Sequence, residues 1–150
     1  MDLIELQDYL YEKIPQVKSM EVEVNDVTSD SLTVSAPLEP NINHRDSVFG
    51  GSASSISILS AWAFVHQKLA SEGISTTLVI QKNTMTYDIP ITGKFSATAK
   101  LSNGNDWEKF VKMLKRKGKS RINVCSNLNY ADKNAGQFEG TFVAVGCKSA

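Results

Sequence analysis

Between residues 3 and 14 the apolar side chains Leu3, Leu6, Tyr9, Leu10 and Ile14 return every three or four positions, with Asp and Glu between them, and Pro15 follows. That period predicts an amphipathic helix over residues 2–13, stopped at the proline. The period then falls to two. Met20, Val22 and Val24 alternate with Glu21, Glu23 and Asn25, the turn-forming TSDS follows, and LTVSA alternates again, which predicts a first hairpin of half-buried strands. From Val48 to about Leu69 apolar residues occupy nearly every side of a helical wheel. A helix apolar almost all round has to be wrapped by other structure, and Ser52, Ala53, Ser54, Ser55, Ser57 and Ser60 are small enough to let that wrapping come close.

Two strand-like runs come next, TTLVIQKNTMTYDIP and ITGKFSATAKLS, and they are read as a pair joined by a short turn. A basic amphipathic helix, NDWEKFVKMLKRKGK, separates them from RINVCSNLNYA and QFEGTFVAVGC, which read as a closing hairpin across DKNAG. The order is helix, two strands, long helix, two strands, short helix, two strands. It predicts an α+β fold in which one antiparallel sheet buries its apolar face on the helix at 48–71. The open edges of such a sheet suit pairing with a second copy of the chain.

At 150 residues the chain is sized for a single domain spanning 1–150. Sixteen basic side chains balance sixteen acidic ones, which argues against whole-surface attraction to nucleic acid. Residues 47–67 carry no charged side chain and are long enough to cross a bilayer. Six serines and two glycines lower their hydrophobicity too far, so no membrane insertion is expected. The acidic N-terminus lacks the basic start and apolar run of a secretion signal, and the expected compartment is the cytoplasm. Cys125 and Cys147 are read as free, buried thiols. Two histidines and two distant cysteines form no metal-ligand cluster, and neither a metal nor another cofactor is expected.

The element order and three stretches, PLEPNINHRDSVFGGSASS, TYDIPITG and KFSATAKL, together resemble the hotdog-fold thioesterases, and most closely the family represented by the YiiD C-terminal domain. The resemblance implies a curled antiparallel sheet around a long central helix, and acyl-CoA thioester hydrolysis by at least a homodimer, or a dimer of such dimers, with each site between subunits. Many relatives read Asn, five residues, then His-Gly-Gly at the start of the central helix. This chain has Asn43, five residues, then Phe49-Gly50-Gly51, and phenylalanine replaces the histidine. An Asp nine residues beyond the histidine position is common in such enzymes, and here that position is Ile58.

Thioester hydrolysis needs a polarised carbonyl, an aimed water and a proton acceptor. The first N–H groups of a helix have no internal partner and sit at the positive end of its dipole, so Gly50, assisted by Gly51, is the expected oxyanion site. The competing reading is that the two glycines serve only close packing. Asn43 suits orienting water or the thioester, or else capping a turn. Asp46 is either the proton acceptor or a helix cap. Phe49, Ser54, Ser57 and Ile58 along the helix, and Gln81 from the third strand across the dimer, are expected to contact substrate, although helical serines also bond back to the backbone. His44 reads as a solvated loop residue, and no GxSxG elbow supports a nucleophilic triad. The run from Lys109 to Arg121 is read either as a helix with one solvated face or as a cationic rim for coenzyme A phosphates, with Lys115, Arg116, Lys117 and Lys119 at its centre. It lacks the aromatic motif of an RNA-binding domain. Because no carboxylate lies between Asp46 and Glu72, a rival reading is an acyl-thioester or fatty-acyl binding module without turnover. A dehydratase would need a His and carboxylate pair that is not seen near the helix.

Overall fold

The computed structural model describes residues 2–149, with side chains to Cys147. Helix α1 (Leu3–Lys13) begins where Asp2 and Glu5 exchange side-chain-to-backbone hydrogen bonds, satisfying donors that a helix start leaves free. Ile14 ends it, yet Pro15 does not stop helical structure. Pro15 is the first residue of a short second helix, α2 (Pro15–Ser19), where its missing N–H costs no hydrogen bond and its fixed φ is already helical. Strands β1 (Glu23–Val27) and β2 (Leu32–Ala36) form the expected hairpin, closed by the Thr28 N–H to Ser31 O bond of 2.9 Å.

The chain continues through α3 (Gly50–Ser71), β3 (Ile74–Tyr87), β4 (Phe95–Leu101), α4 (Trp107–Lys117), β5 (Lys119–Tyr130) and β6 (Lys133–Ser149). All six strands make one antiparallel sheet in the order β1-β2-β4-β5-β6-β3. The sheet curls round α3, the α+β arrangement that the sequence predicts. On α3, Ile56, Leu59, Phe64, Val65 and Leu69 are buried on different sides of the helix. Ser57 and Ser60 turn their hydroxyls back to Ala53 O and Ser57 O, and Ser60 also meets Ser126 Oγ at 2.8 Å. Trp62 ties the helix to β3 by donating from Nε1 to Leu78 O (2.8 Å).

One pairing differs from expectation. β3 and β4 are not partners: β3 pairs with β6 at one sheet edge, while β4 lies between β2 and β5. The reason lies in their burial. Phe95, Ala97 and Ala99 of β4 are almost wholly buried, as a central strand requires, whereas Gln81–Thr84 of β3 are exposed and tolerate an edge. The closing hairpin turns earlier than DKNAG suggests. Tyr130 faces Lys133, so Ala131 and Asp132 make the turn, with φ of 51° and 61°, the positive values that match two-residue turns to strand twist. Gly136 is instead a strand residue. A Cβ there would lie 2.6 Å from Thr86 O, so only glycine lets the end of β3 come this close.

Candidate functional site

The loop before α3 is organised from within. Asn41 is buried and donates through Nδ2 to Met20 O (3.0 Å) and Pro37 O (2.8 Å), while its carbonyl accepts from Phe49 N–H (2.8 Å). Asn43 Oδ1 accepts from the N–H groups of Arg45 (2.8 Å) and Ser47 (3.1 Å), and Nδ2 donates to Ser47 Oγ (3.0 Å). Its side chain therefore shapes the loop in the manner of an Asx turn. An Ile42–Val48 bridge and a Val48 N–H to Ile91 O bond (2.8 Å) close the loop against the segment after β3.

Helix α3 then starts without a polar cap. Its N-cap is Phe49, not Asp46, and no side chain caps it. Phe49 O accepts from Ser52 and Ala53. Among the described residues the N–H groups of Gly50 and Gly51 have no acceptor, so two donors point out of the positive end of a 22-residue helix.

Gly50, but not Gly51, borders a cavity of about 360 Å³ bounded by Ser47, Val48, Gly50 and Ala53 on one side and Tyr87, Asp88, Ile89 and Pro90 on the other. The Tyr87 hydroxyl donates to Gly50 O (3.3 Å). Asp88 is held by its N–H bond to Ala135 O (2.9 Å), and its exposed carboxylate makes no hydrogen bond or ion pair among the described residues. Reading the sequence did not single out Tyr87 or Asp88, although both belong to the TYDIP strand end. Their position depends on β3 pairing with β6 at Gly136, which local sequence does not reveal.

The other expected site residues divide by location. Phe49 is 58% exposed, and its ring lies over Gly51, where any Cβ would displace it. Asp46 sits in the loop at φ 60° with an exposed side chain, and it is not among the residues bounding the mouth cavity. Ser54 is half-buried on α3, and Ser57 is fully buried with its hydroxyl committed to Ala53 O. Ile58 lines a separate apolar groove of about 290 Å³ with Val17, Met20, Leu59 and Trp62. Gln81 lines a third cavity, about 510 Å³, beside α4, and within one chain it does not meet Gly50. Lys115, Arg116, Lys117 and Lys119 are exposed.

His44 is exposed, and His66 stacks between Tyr9 and Trp62 with ring centroids 5.0 and 4.8 Å away. Burial lowers the His66 pKa. Cys125 and Cys147 are free and only half-buried, and burial raises the Cys125 pKa. Among the described residues no group of three His, Cys, Asp or Glu side chains is placed to hold a metal ion, and no helix is long and apolar enough to cross a membrane.

Known proteins carry the same frame. A protein of unknown function from Chlorobaculum tepidum superposes with a TM-score of 0.89 at 26% identity, covering 95% of this chain and 93% of that one. A crystal structure described as a "putative thioesterase", from Shewanella oneidensis, gives 0.87 at 27% identity and covers 97% and 99%. A Haemophilus influenzae thioesterase, at 14% identity and a TM-score of 0.78 over 97% and 92% of the two chains, shares the fold. Together with a match over residues 3–146 to the family described as "Putative thioesterase (yiiD_Cterm)", these likenesses show that the chain is a hotdog-fold protein belonging to the YiiD C-terminal-domain thioesterase family.

Proposed function

We propose that this protein hydrolyses acyl-CoA thioesters at the mouth of α3. The observation that carries the reading is the unpartnered N–H of Gly50, next to that of Gly51 at the same helix end, bordering a cavity that Asp88, whose carboxylate is unpaired among the described residues, also borders. The thioester oxygen sits on these donors, where the helix dipole and two N–H groups favour the negative charge that develops on it. Asp88 accepts a proton from the water that attacks the carbonyl carbon. The tetrahedral intermediate then expels the thiolate, which recovers that proton, so one thioester and one water give a carboxylic acid and a thiol. In this scheme Asp88 supplies the base that Ile58 does not. Asn43 is a positioning residue that sets the loop before the helix, and Asp46 is a rival base on the same rim.

The site works in a homodimer joined through the open edge of β3, with Thr76–Gln81 reaching the partner's tunnel. The long unpaired edge of a 14-residue strand supports this reading. The assay is thiol release from short, long and aromatic acyl-CoAs by the purified protein, with its mass in solution measured alongside. Turnover above background with a dimeric or tetrameric mass is expected. Binding of acyl-CoA without turnover would instead identify a thioester-binding module.

A further inference from the structure

We propose that the acyl chain of the substrate lies along α3 and ends in the apolar groove between α2 and α3, which selects saturated chains of about eight to fourteen carbons. The inference rests on the thioesterase reading above and names the substrate class that the same site takes. Among the residues bordering this groove of about 290 Å³, only Gln16 and Ser55 are polar and none is charged. Val17, Met20 and Leu59 are buried, while Ile14, Ile58 and Trp62 are half-buried and keep apolar surface open to a ligand. Such a lining offers nothing to a phosphate or a sugar, whereas every methylene that moves into it from water gains free energy.

A furrow on α3 joins the groove to the mouth. Residues four apart form rows on a helix surface, and a furrow runs between adjacent rows. Gly50, Ser54, Ile58 and Trp62 make one row, and Gly51, Ser55 and Leu59 make the next. Each row starts with a glycine and a serine, so the furrow is shallow-walled where it leaves the free N–H groups, and the later members of both rows border the groove. Gly51 is exposed, and Gly50, Ser54 and Ser55 are only half-buried. The Phe49 ring over Gly51 adds an apolar wall at the head of the furrow. Gln16 Nε2 stands 3.5 Å from Ser55 Oγ across the rim, too far to hold the rim shut. The path stays on α3, and no β3 residue borders the groove, so the strand edge used by the dimer is not crossed. Ser55 lies five residues beyond Gly50 and Trp62 twelve, or about 7 and 18 Å along the axis. An extended chain advances ~1.2 Å per bond, which places the groove at about the seventh to the fifteenth carbon.

The test measures kcat/KM for hexanoyl-, dodecanoyl- and octadecanoyl-CoA, each below its micelle concentration, on the native chain, on Ile58→Trp, which fills the groove, and on Ile4→Trp, at a site 73% exposed on α1 and outside it. Half burial of a methylene is worth about two-fold. The native chain and Ile4→Trp should therefore favour dodecanoyl- over hexanoyl-CoA by at least about ten-fold, with no further gain for octadecanoyl-CoA, and Ile58→Trp should bring that preference below about three-fold. A native preference near one, a continued rise to octadecanoyl-CoA, or an equal loss in Ile4→Trp would overturn the assignment. A second measurement needs neither turnover nor Ile58→Trp. Dodecanoate brominated at carbon 12 should quench the tryptophan emission of the native chain, because Trp62 borders the groove and Trp107 does not. Dodecanoate brominated at carbon 2 should not, and Trp62→Phe should abolish the effect. Quenching without thioester cleavage would remove the hydrolase reading and uphold the groove, whereas absent quenching, or equal quenching by the two acids, would overturn the groove.

Discussion

Gly50→Ala separates a catalytic mouth from a packing glycine. A Cβ built at Gly50 meets the Tyr87 ring at 3.7 Å, with its remaining near neighbours also in that ring. This is ordinary van der Waals contact, so nothing in the packing demands glycine at this position. Alanine is also the better helix former, and the variant should unfold at the same denaturant concentration or be more stable by up to about 1 kcal/mol. The methyl group would nonetheless stand in the 360 Å³ cavity beside the exposed N–H groups. A reacting carbonyl pushed about 1 Å off its donors loses on the order of 10²-fold in rate, or about 2.7 kcal/mol of transition-state stabilisation. The assay pairs initial rates of thiol release with urea unfolding. A stable Gly50→Ala protein whose kcat/KM stays within about two-fold of the native value would refute the placement of the thioester at this mouth. Loss of stability and activity together would point back to packing.

Asp88→Asn should lower kcat by about 10²- to 10⁴-fold, the usual contribution of a general base, with Asp46→Asn close to native; the reverse ranking in thiol-release rates would make Asp46 the proton acceptor. Asn41→Ala removes donors to Met20 O and Pro37 O in a buried site and should cost about 2 kcal/mol by urea unfolding, from two lost hydrogen bonds at roughly 1 kcal/mol each. His66 titrates below its ordinary value because it is buried, so the unfolded chain takes up the proton at a higher pH. Stability from this group is present above the unfolded value and is lost as pH falls through the folded one. His66→Phe, which keeps a ring between Tyr9 and Trp62, should therefore lose less Tm than the native chain between about pH 7.5 and about pH 5; equal losses would exclude His66 as a contributor.

What could be read from the chain alone follows from constraints that act locally or on burial. An unbroken apolar wheel from Val48 to Leu69 cannot face water, so a wrapped central helix was legible, and period-two alternation marked each strand. The glycine pair at its start was legible as a pair of open helix donors because the geometry of any helix N-terminus leaves them free. Strand partners are a different matter. The short link from β3 to β4 suggested a hairpin, but the depth of burial needed by Phe95, Ala97 and Ala99 puts β4 in the sheet centre and sends β3 to the far edge. That exchange, tightened by Gly136 against Thr86, brings Tyr87 and Asp88 to Gly50 across 37 residues of sequence. The fold likewise divides the basic run, because burying Phe110 and Leu114 turns Lys109 towards a cavity and leaves Lys115, Arg116 and Lys117 in solvent. Sequence determined which segments had to be buried and where a helix would open; tertiary packing decided which distant carboxylate meets that opening and that the cations of the basic run do not, since both depend on long-range strand order that no local pattern encodes.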